Sequence, residues 1–174
     1  NLAKKLIKKH QVIGIDNINS YYSVKLKKDR IKNLKKKIIL KFIGRYSEKK
    51  IFSKKNVEVI YSSFVKDINT ELIKCDAVVS AADYPVGIRQ RIISSLSLGM
   101  PCIAHNSVSY GLHQLIHGYD ILYCQNPNEF VNCINLLIQD LNLQKKLSIN
   151  ARNTWLKNFN PRFNIDYILK KINY

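Results

Sequence analysis

No stretch of this 174-residue chain approaches the roughly 18 consecutive apolar residues that a membrane-spanning helix needs. The opening NLAKKLIKKH, Asn1 to His10, has neither the apolar core nor the small-residue cleavage site of a secretory leader. The cytosol is therefore the expected compartment. The first residue is not Met, so further sequence upstream is expected. Cysteine is sparse: Cys75, Cys102, Cys124 and Cys133 lie 27, 22 and 9 positions apart with no C-x-x-C pair. That spacing indicates neither a zinc site nor a small disulfide scaffold, and buried free thiols are expected. Acidic residues are scarce at one end. Residues 1–55 hold 3 Asp/Glu against 18 Lys/Arg, residues 56–174 hold 9 against 11, and the net charge is +17. A segment so basic attracts nucleic acid, anionic lipid or the phosphates of a nucleotide. Arginine is scarce too, with 6 against 23 lysines. Readers of bases and phosphates lean on its planar fork, so nucleic acid is not the expected partner, while peripheral contact with a membrane surface stays open.

What is present is a core-forming chain, 46% hydrophobic and 24% charged, with no internal repeat and no low-complexity linker. Strands read as short apolar runs at 11–15, 38–43, 57–61, 77–81, 101–104 and 121–124. Helical spacing is predicted over about 23–36, 68–74, 88–98 and 112–116, from Pro127 onward, and over about 142–157 and 162–172. Ile88, Ile92, Ile93 and Leu96 make one apolar face of the 88–98 helix, and Gly99 is expected to end it. Asn126 before Pro127 is an N-cap followed by proline at the first helical position. Strands alternating with helices imply an α/β fold, a Rossmann-like parallel sheet with helices on both faces, here with an additional helix–strand–helix segment at the N-terminus.

In such sheets ligands sit at the carboxyl ends of the strands, where helix N-termini offer unpaired N–H groups to phosphate. The turn Asp83-Tyr-Pro-Val-Gly-Ile-Arg89 follows one strand and precedes a helix. It holds Gly87, where a backbone can approach a ligand closely, and it places Arg89 and Arg91 at the start of the helix. A second candidate is Gly44-Arg45 after the strand 38–43, where Arg45 could reach a diphosphate bidentately. An ordinary strand–loop–helix turn with solvated arginines is the alternative for each.

From Ile38 onward, over 137 of the 174 residues, the chain resembles the C-terminal, donor-nucleotide-binding domain of a GT-B glycosyltransferase of group 1 type. The likeness rests on Ile39-Leu-Lys-Phe-Ile-Gly-Arg45, Asn56-Val-Glu-Val-Ile60, Cys75-Asp-Ala-Val-Val-Ser80, Gly87-Ile-Arg-Gln-Arg-Ile-Ile-Ser-Ser-Leu-Ser-Leu-Gly-Met-Pro-Cys-Ile-Ala-His105, and Asn150-Ala-Arg152 before Trp155 and Phe159. Its centre is similar to the family segment ending EAMA-x-G-x-P-V-I-A. The resemblance implies a UDP- or GDP-sugar donor whose phosphates and sugar face the backbone of Gly87, Ile88 and Arg89. It also implies metal-independent transfer, with helix dipoles and Arg serving the leaving phosphate. The family's Glu-x7-Glu pair is replaced: Val86 and Ser94 occupy those places. Ser94 can donate one hydrogen bond to a ribose hydroxyl but cannot accept two as a carboxylate does. The resemblance leaves room for a branch of the family that uses an Arg-x-Arg turn like Arg89-Gln-Arg91 instead, and His113 and His117 fall where a donor-facing loop could place them, a structural role being the alternative.

Residues 1–36 resemble something else. Asn1-Leu-Ala-Lys-Lys-Leu6, Gln11-Val-Ile-Gly-Ile-Asp-Asn-Ile-Asn-Ser-Tyr-Tyr22 and Leu26-Lys-Lys-Asp-Arg-Ile-Lys-Asn-Leu34 look like a UDP-glucuronate 4-epimerase, an extended short-chain dehydrogenase. The resemblance implies that Asp16 is the remnant acid that holds a cofactor ribose. The glycine-rich turn of that family is missing upstream, and Tyr21-x-x-x-Lys25 lies in the loop after Asp16 and is not the family's catalytic pair, so NAD is not an expected cofactor, nor is any metal. The expected division is thus 1–37, an epimerase-like Rossmann fragment, and 38–174, a nucleotide-sugar-binding domain. The function expected is donor binding in polysaccharide or glycoconjugate synthesis, with hexosyl transfer only if an acceptor-domain chain completes the cleft. The alternatives are an epimerase fragment and a non-catalytic module that depends on a partner.

Overall fold

The computed structural model describes residues 10–14, 38–44, 56–62, 64–84 and 87–172, the first of these by backbone only. Among the described residues six strands form one sheet: β1 (His10–Gly14), β2 (Ile38–Ile43), β3 (Val57–Ser62), β4 (Ala77–Ser80), β5 (Cys102–His105) and β6 (Leu122–Cys124). All pairings are parallel, in the order β3-β2-β1-β4-β5-β6. Val12 of β1 stands opposite Leu40 on one side and Ala77 on the other. The strand from the basic N-terminal segment is therefore central, and both its edges are paired. Parallel strands covered on both faces read as continuous apolar runs. In β4 all four residues, Ala77-Val-Val-Ser80, are buried.

The described residues also form five α-helices: α1 (Ile68–Leu72), α2 (Gln90–Ser97), α3 (Pro127–Gln139), α4 (Leu141–Asn158) and α5 (Pro161–Ile172). Two cores flank the sheet. Leu72 of α1, Ile92 and Leu96 of α2 and Ala151 of α4 pack with Ile43, Val78 and Ala104. On the other face, Phe130, Ile134, Leu137 and Ile138 of α3 pack with Ala77, Val79, Ile103 and Leu122. Among the described residues no helix is long and apolar enough to cross a membrane.

Local signals set the boundaries. Asp67 caps α1, accepting from Asn69 and Thr70 N–H. Asn126 caps α3, accepting from Asn128 and Glu129 N–H with Pro127 in the first turn, and Asp140 caps α4. Gly99 ends the second helix at φ +65°, as its place in the sequence predicts. Two expectations need correction. The helix predicted from residue 88 begins at Gln90, so Ile88 is not on its buried face and lies exposed. No helix forms at 112–116, which is an irregular loop, and a 3-10 turn at Asn106–Tyr110 precedes it. His105 Nδ1 accepts from Ser107 N–H and Ser109 Oγ donates to the Asn106 carbonyl, so short polar side chains tighten the chain directly after β5.

Candidate functional site

The strand order reverses direction between β1 and β4, and in open parallel sheets ligands bind at the carboxyl ends of the strands at such a reversal. The segment that leaves β4 there, Ala81 to Tyr84 and Gly87 to Arg89, leads into α2. Unlike α1, α3 and α4, α2 starts with no side chain capping it; its N-cap, Arg89, keeps extended backbone at φ −87° and ψ 100°. Its first N–H groups and the positive end of its dipole point out of the helix at the end that follows β4. Gly87 has φ +31°, a conformation that side chains resist, and nothing lies within 4 Å of the point where its Cβ would stand. A ligand has room to approach that backbone.

Arg89, Ser107 and Gly111 hold this turn. Arg89 is only 6% exposed, and its Nη2 donates to the carbonyls of Tyr84 (2.7 Å) and Ala82 (3.3 Å), with its guanidinium 5.6 Å from the Tyr84 ring centre. The Ala82 carbonyl accepts a second bond from Ser107 Oγ at 3.2 Å, which ties the turn to the 3-10 segment after β5. Gly111 packs on the turn so closely that a Cβ there would lie 2.5 Å from the Gly87 carbonyl oxygen. Ser107 and Gly111 belong to the arrangement, yet no sequence periodicity marks them. The only hint is the run of short residues after a strand, Asn106-Ser-Val-Ser109.

The other expected site residues fall as follows. Arg91 and Ser94 are half-buried on α2, three positions apart and therefore on neighbouring ridges of one side. Ile88 is exposed beside Gly87. Gly44 stands at the end of β2, two strands from the turn, whereas Arg45 and Asp16 lie outside the described residues. His117 accepts from Tyr123 N–H through Nδ1 at 2.9 Å and stacks on the Tyr123 ring, so it braces a loop. His113 is exposed. Ser80 ends β4 fully buried, its hydroxyl without a hydrogen-bond partner among the described residues. Among those residues no group of His, Cys, Asp and Glu is arranged to hold a metal ion.

A buried carboxylate lies in the loop before β6. Asp120 accepts from Ile116 N–H and Thr154 Oγ, both at 2.8 Å, which joins the loop before β6 to α4. Burial pushes its carboxyl above the usual carboxylate range, against the lowering from those two donors. The Asn150-Ala-Arg152 series does the same joining. Asn150 donates to the Tyr119 carbonyl, Ala151 is in the core, and Arg152 bonds the Ser97 carbonyl at the end of α2 while lying 4.7 Å over Trp155.

Comparison with known proteins bears on the family and the fold. The family model of the group 1 glycosyl transferases matches residues 16–140. Among solved structures, the Anabaena protein HepE, crystallised with UDP and with UDP-glucose, superposes with a TM-score of 0.74 at 16% identity, over 99% of this chain and 51% of that one. The catalytic domain of the cholesterol-alpha-glucosyltransferase from Helicobacter pylori gives a TM-score of 0.68 at 13% identity, covering 85% and 98% respectively. Among curated proteins, Protein CapI of Staphylococcus aureus is 65% identical over 37 residues, 21% of this chain and 11% of CapI. The chain thus spans about half the length of HepE and far less of CapI. The family match starts at residue 16 and runs through the boundary expected at 37, and the epimerase-like reading of residues 1–36 gains no support from these comparisons. With its model covering well over half of the sequence, the chain belongs to the group 1 glycosyl transferases.

Proposed function

We propose that this chain is the nucleotide-sugar-binding part of a glycosyltransferase in polysaccharide or glycoconjugate synthesis, acting on the cytoplasmic side of the membrane. The observation that carries the reading is the uncapped start of α2 beside the open Gly87 turn, at the point where the strand order reverses. Backbone N–H groups at Gly87, Ile88 and Arg89 receive the donor's diphosphate. The helix dipole, worth roughly half a charge, stabilises the negative charge that develops on the leaving phosphate as the sugar departs. Arg89 shapes the turn from within. Arg91 supplies cationic charge nearer the mouth, and Ser94 gives the ribose a single hydrogen bond in place of a carboxylate's two. In this assignment residues 38–174 form the donor site and residues 1–37 bring the strand that completes the sheet. UDP is the first nucleotide to test, because HepE was solved with it.

Sugar transfer requires an acceptor-binding domain as a second chain or segment, and one observation favours such a partner. The described side chains of α5 are all exposed, among them Ile165, Tyr167, Ile168, Leu169 and Ile172. Thermal melting of the purified chain with UDP, GDP, UDP-glucose, GDP-mannose and NAD is the test. A ligand at 100 times its dissociation constant adds about 2.7 kcal/mol, which raises the midpoint by roughly 5–10 °C. A shift with one nucleotide family and none with NAD is the expected result. A flat panel on a cooperatively melting protein overturns the reading.

A further inference from the structure

Away from the α2 turn, two thiols face each other. Cys124 ends β6 and is fully buried, whereas Cys133 lies midway along α3 and is half-buried. Their sulfurs are 3.5 Å apart, with the Cys124 thiol donating to the Cys133 sulfur. Only Gln125 and Asn126 separate the strand from the helix, and Asn126 caps that helix, so the approach is fixed by a tight local connection. A disulfide bond is near 2.05 Å, so about 1.5 Å of closure separates the pair from a covalent link. The donated S–H lowers the Cys133 thiol from its ordinary value, and the same contact with burial raises Cys124. Glu129, one turn earlier on α3, opposes a thiolate at Cys133. Cys75 and Cys102 differ: burial pushes both up to about 12, which keeps them as inert thiols.

We propose that Cys124 and Cys133 are a modification site, an oxidisable thiol pair that reacts with hydroperoxides and closes to an intramolecular disulfide. The Cys133 thiolate attacks one peroxide oxygen and the O–O bond breaks. The other oxygen leaves as an alcohol, or as water from hydrogen peroxide, after taking a proton, and Cys133 becomes a sulfenic acid. The Cys124 sulfur then attacks the Cys133 sulfur; the S–S bond forms, the S–O bond breaks, and hydroxide leaves as water with the Cys124 proton. Two thiols give up two electrons and two protons, and the peroxide is reduced. A dithiol reductant reverses the change.

The test uses the full chain, reduced, treated with a few equivalents of hydrogen peroxide, then denatured, alkylated with N-ethylmaleimide and weighed. Alkylation is expected to fall from all four cysteines to Cys75 and Cys102 alone, with a cross-linked peptide holding Cys124 and Cys133, and dithiothreitol restores full labelling. In Cys124→Ser the sulfenic acid on Cys133 persists and is trapped by dimedone. The wild-type peptide map stands without that variant should it fold poorly. Four alkylated cysteines after peroxide overturn the proposal, as does a cross-link that joins another pair or two chains.

Discussion

At the residue scale the candidate site depends on a contact that only glycine permits. Gly111 has ordinary backbone angles, φ −104° and ψ −11°, so its constraint is steric. An added Cβ would meet backbone on the Gly87 turn, where nothing flexible can give way. Gly111→Ala is therefore expected to cost about 1–3 kcal/mol in denaturant unfolding and to weaken UDP binding beyond that, because the turn it displaces is the proposed phosphate cradle. Equal UDP affinity in the variant and the parent, by calorimetry, would separate the contact from the site. Asp120 makes a second case. Removing its carboxylate as Asp120→Ala strands the Ile116 N–H and Thr154 hydroxyl, at an expected cost of about 2–3 kcal/mol. A chemical denaturation curve reads that loss directly.

At the element scale, side chains from different elements do what the strand and helix signals leave undone. Lys41 on β2 bonds Glu71 on α1, which also pairs with Lys74 at 2.7 Å. These two lysines, Lys41 first, hold the Glu71 carboxyl near 2, down from an ordinary value of 4.5. A depressed carboxyl stabilises the fold fully above its unfolded value and loses that contribution as pH falls through the folded one. The wild-type chain is thus expected to lose stability between pH 4.5 and about 2, and Glu71→Gln to show a shallower loss over that window in urea melts. Since the pair is at the surface, added salt narrows the difference.

The local signals that could be read from sequence belong to this scale. Asn126-Pro127 and Gly99 mark helix ends where they were expected, because capping is decided within a few residues. The helix predicted at 112–116 failed because its apolar residues, Leu112 and Leu115, are core contacts of an irregular loop. Apolar spacing alone cannot tell such a loop from one helical turn. Arg89 also carried a misleading signal. An arginine at a helix start reads as an anion ligand, and here it is turned inward onto carbonyls that appear only once the loop has folded.

At the scale of the whole molecule, described side chains from β2 to β6 and from α1 to α4 build two cores, and none of the described side chains of α5 joins either. A 12-residue helix whose described side chains are all exposed is marginal in water. Amide hydrogen exchange is expected to show α5 as the least protected helix, faster than α2 and α4 by at least tenfold, and to slow there when an acceptor-domain chain is added. Protection equal to that of α4 in the isolated chain would mean that α5 is already covered.

The sequence by itself determined the alternation of strands and helices, the caps that bound them, the turn after β4 as the place to look, and the likeness to a donor-binding domain. Each of these is written in runs of neighbouring residues, where periodicity and turn chemistry act. Only the tertiary structure decided that the strand at 10–14 lies at the centre of the sheet, that Arg89 faces inward, that Gly111 supports Gly87, and that Cys124 meets Cys133. The reason is physical. The order of strands in a parallel sheet, and every contact that order creates, depends on how distant segments share one core, and no local preference carries that information.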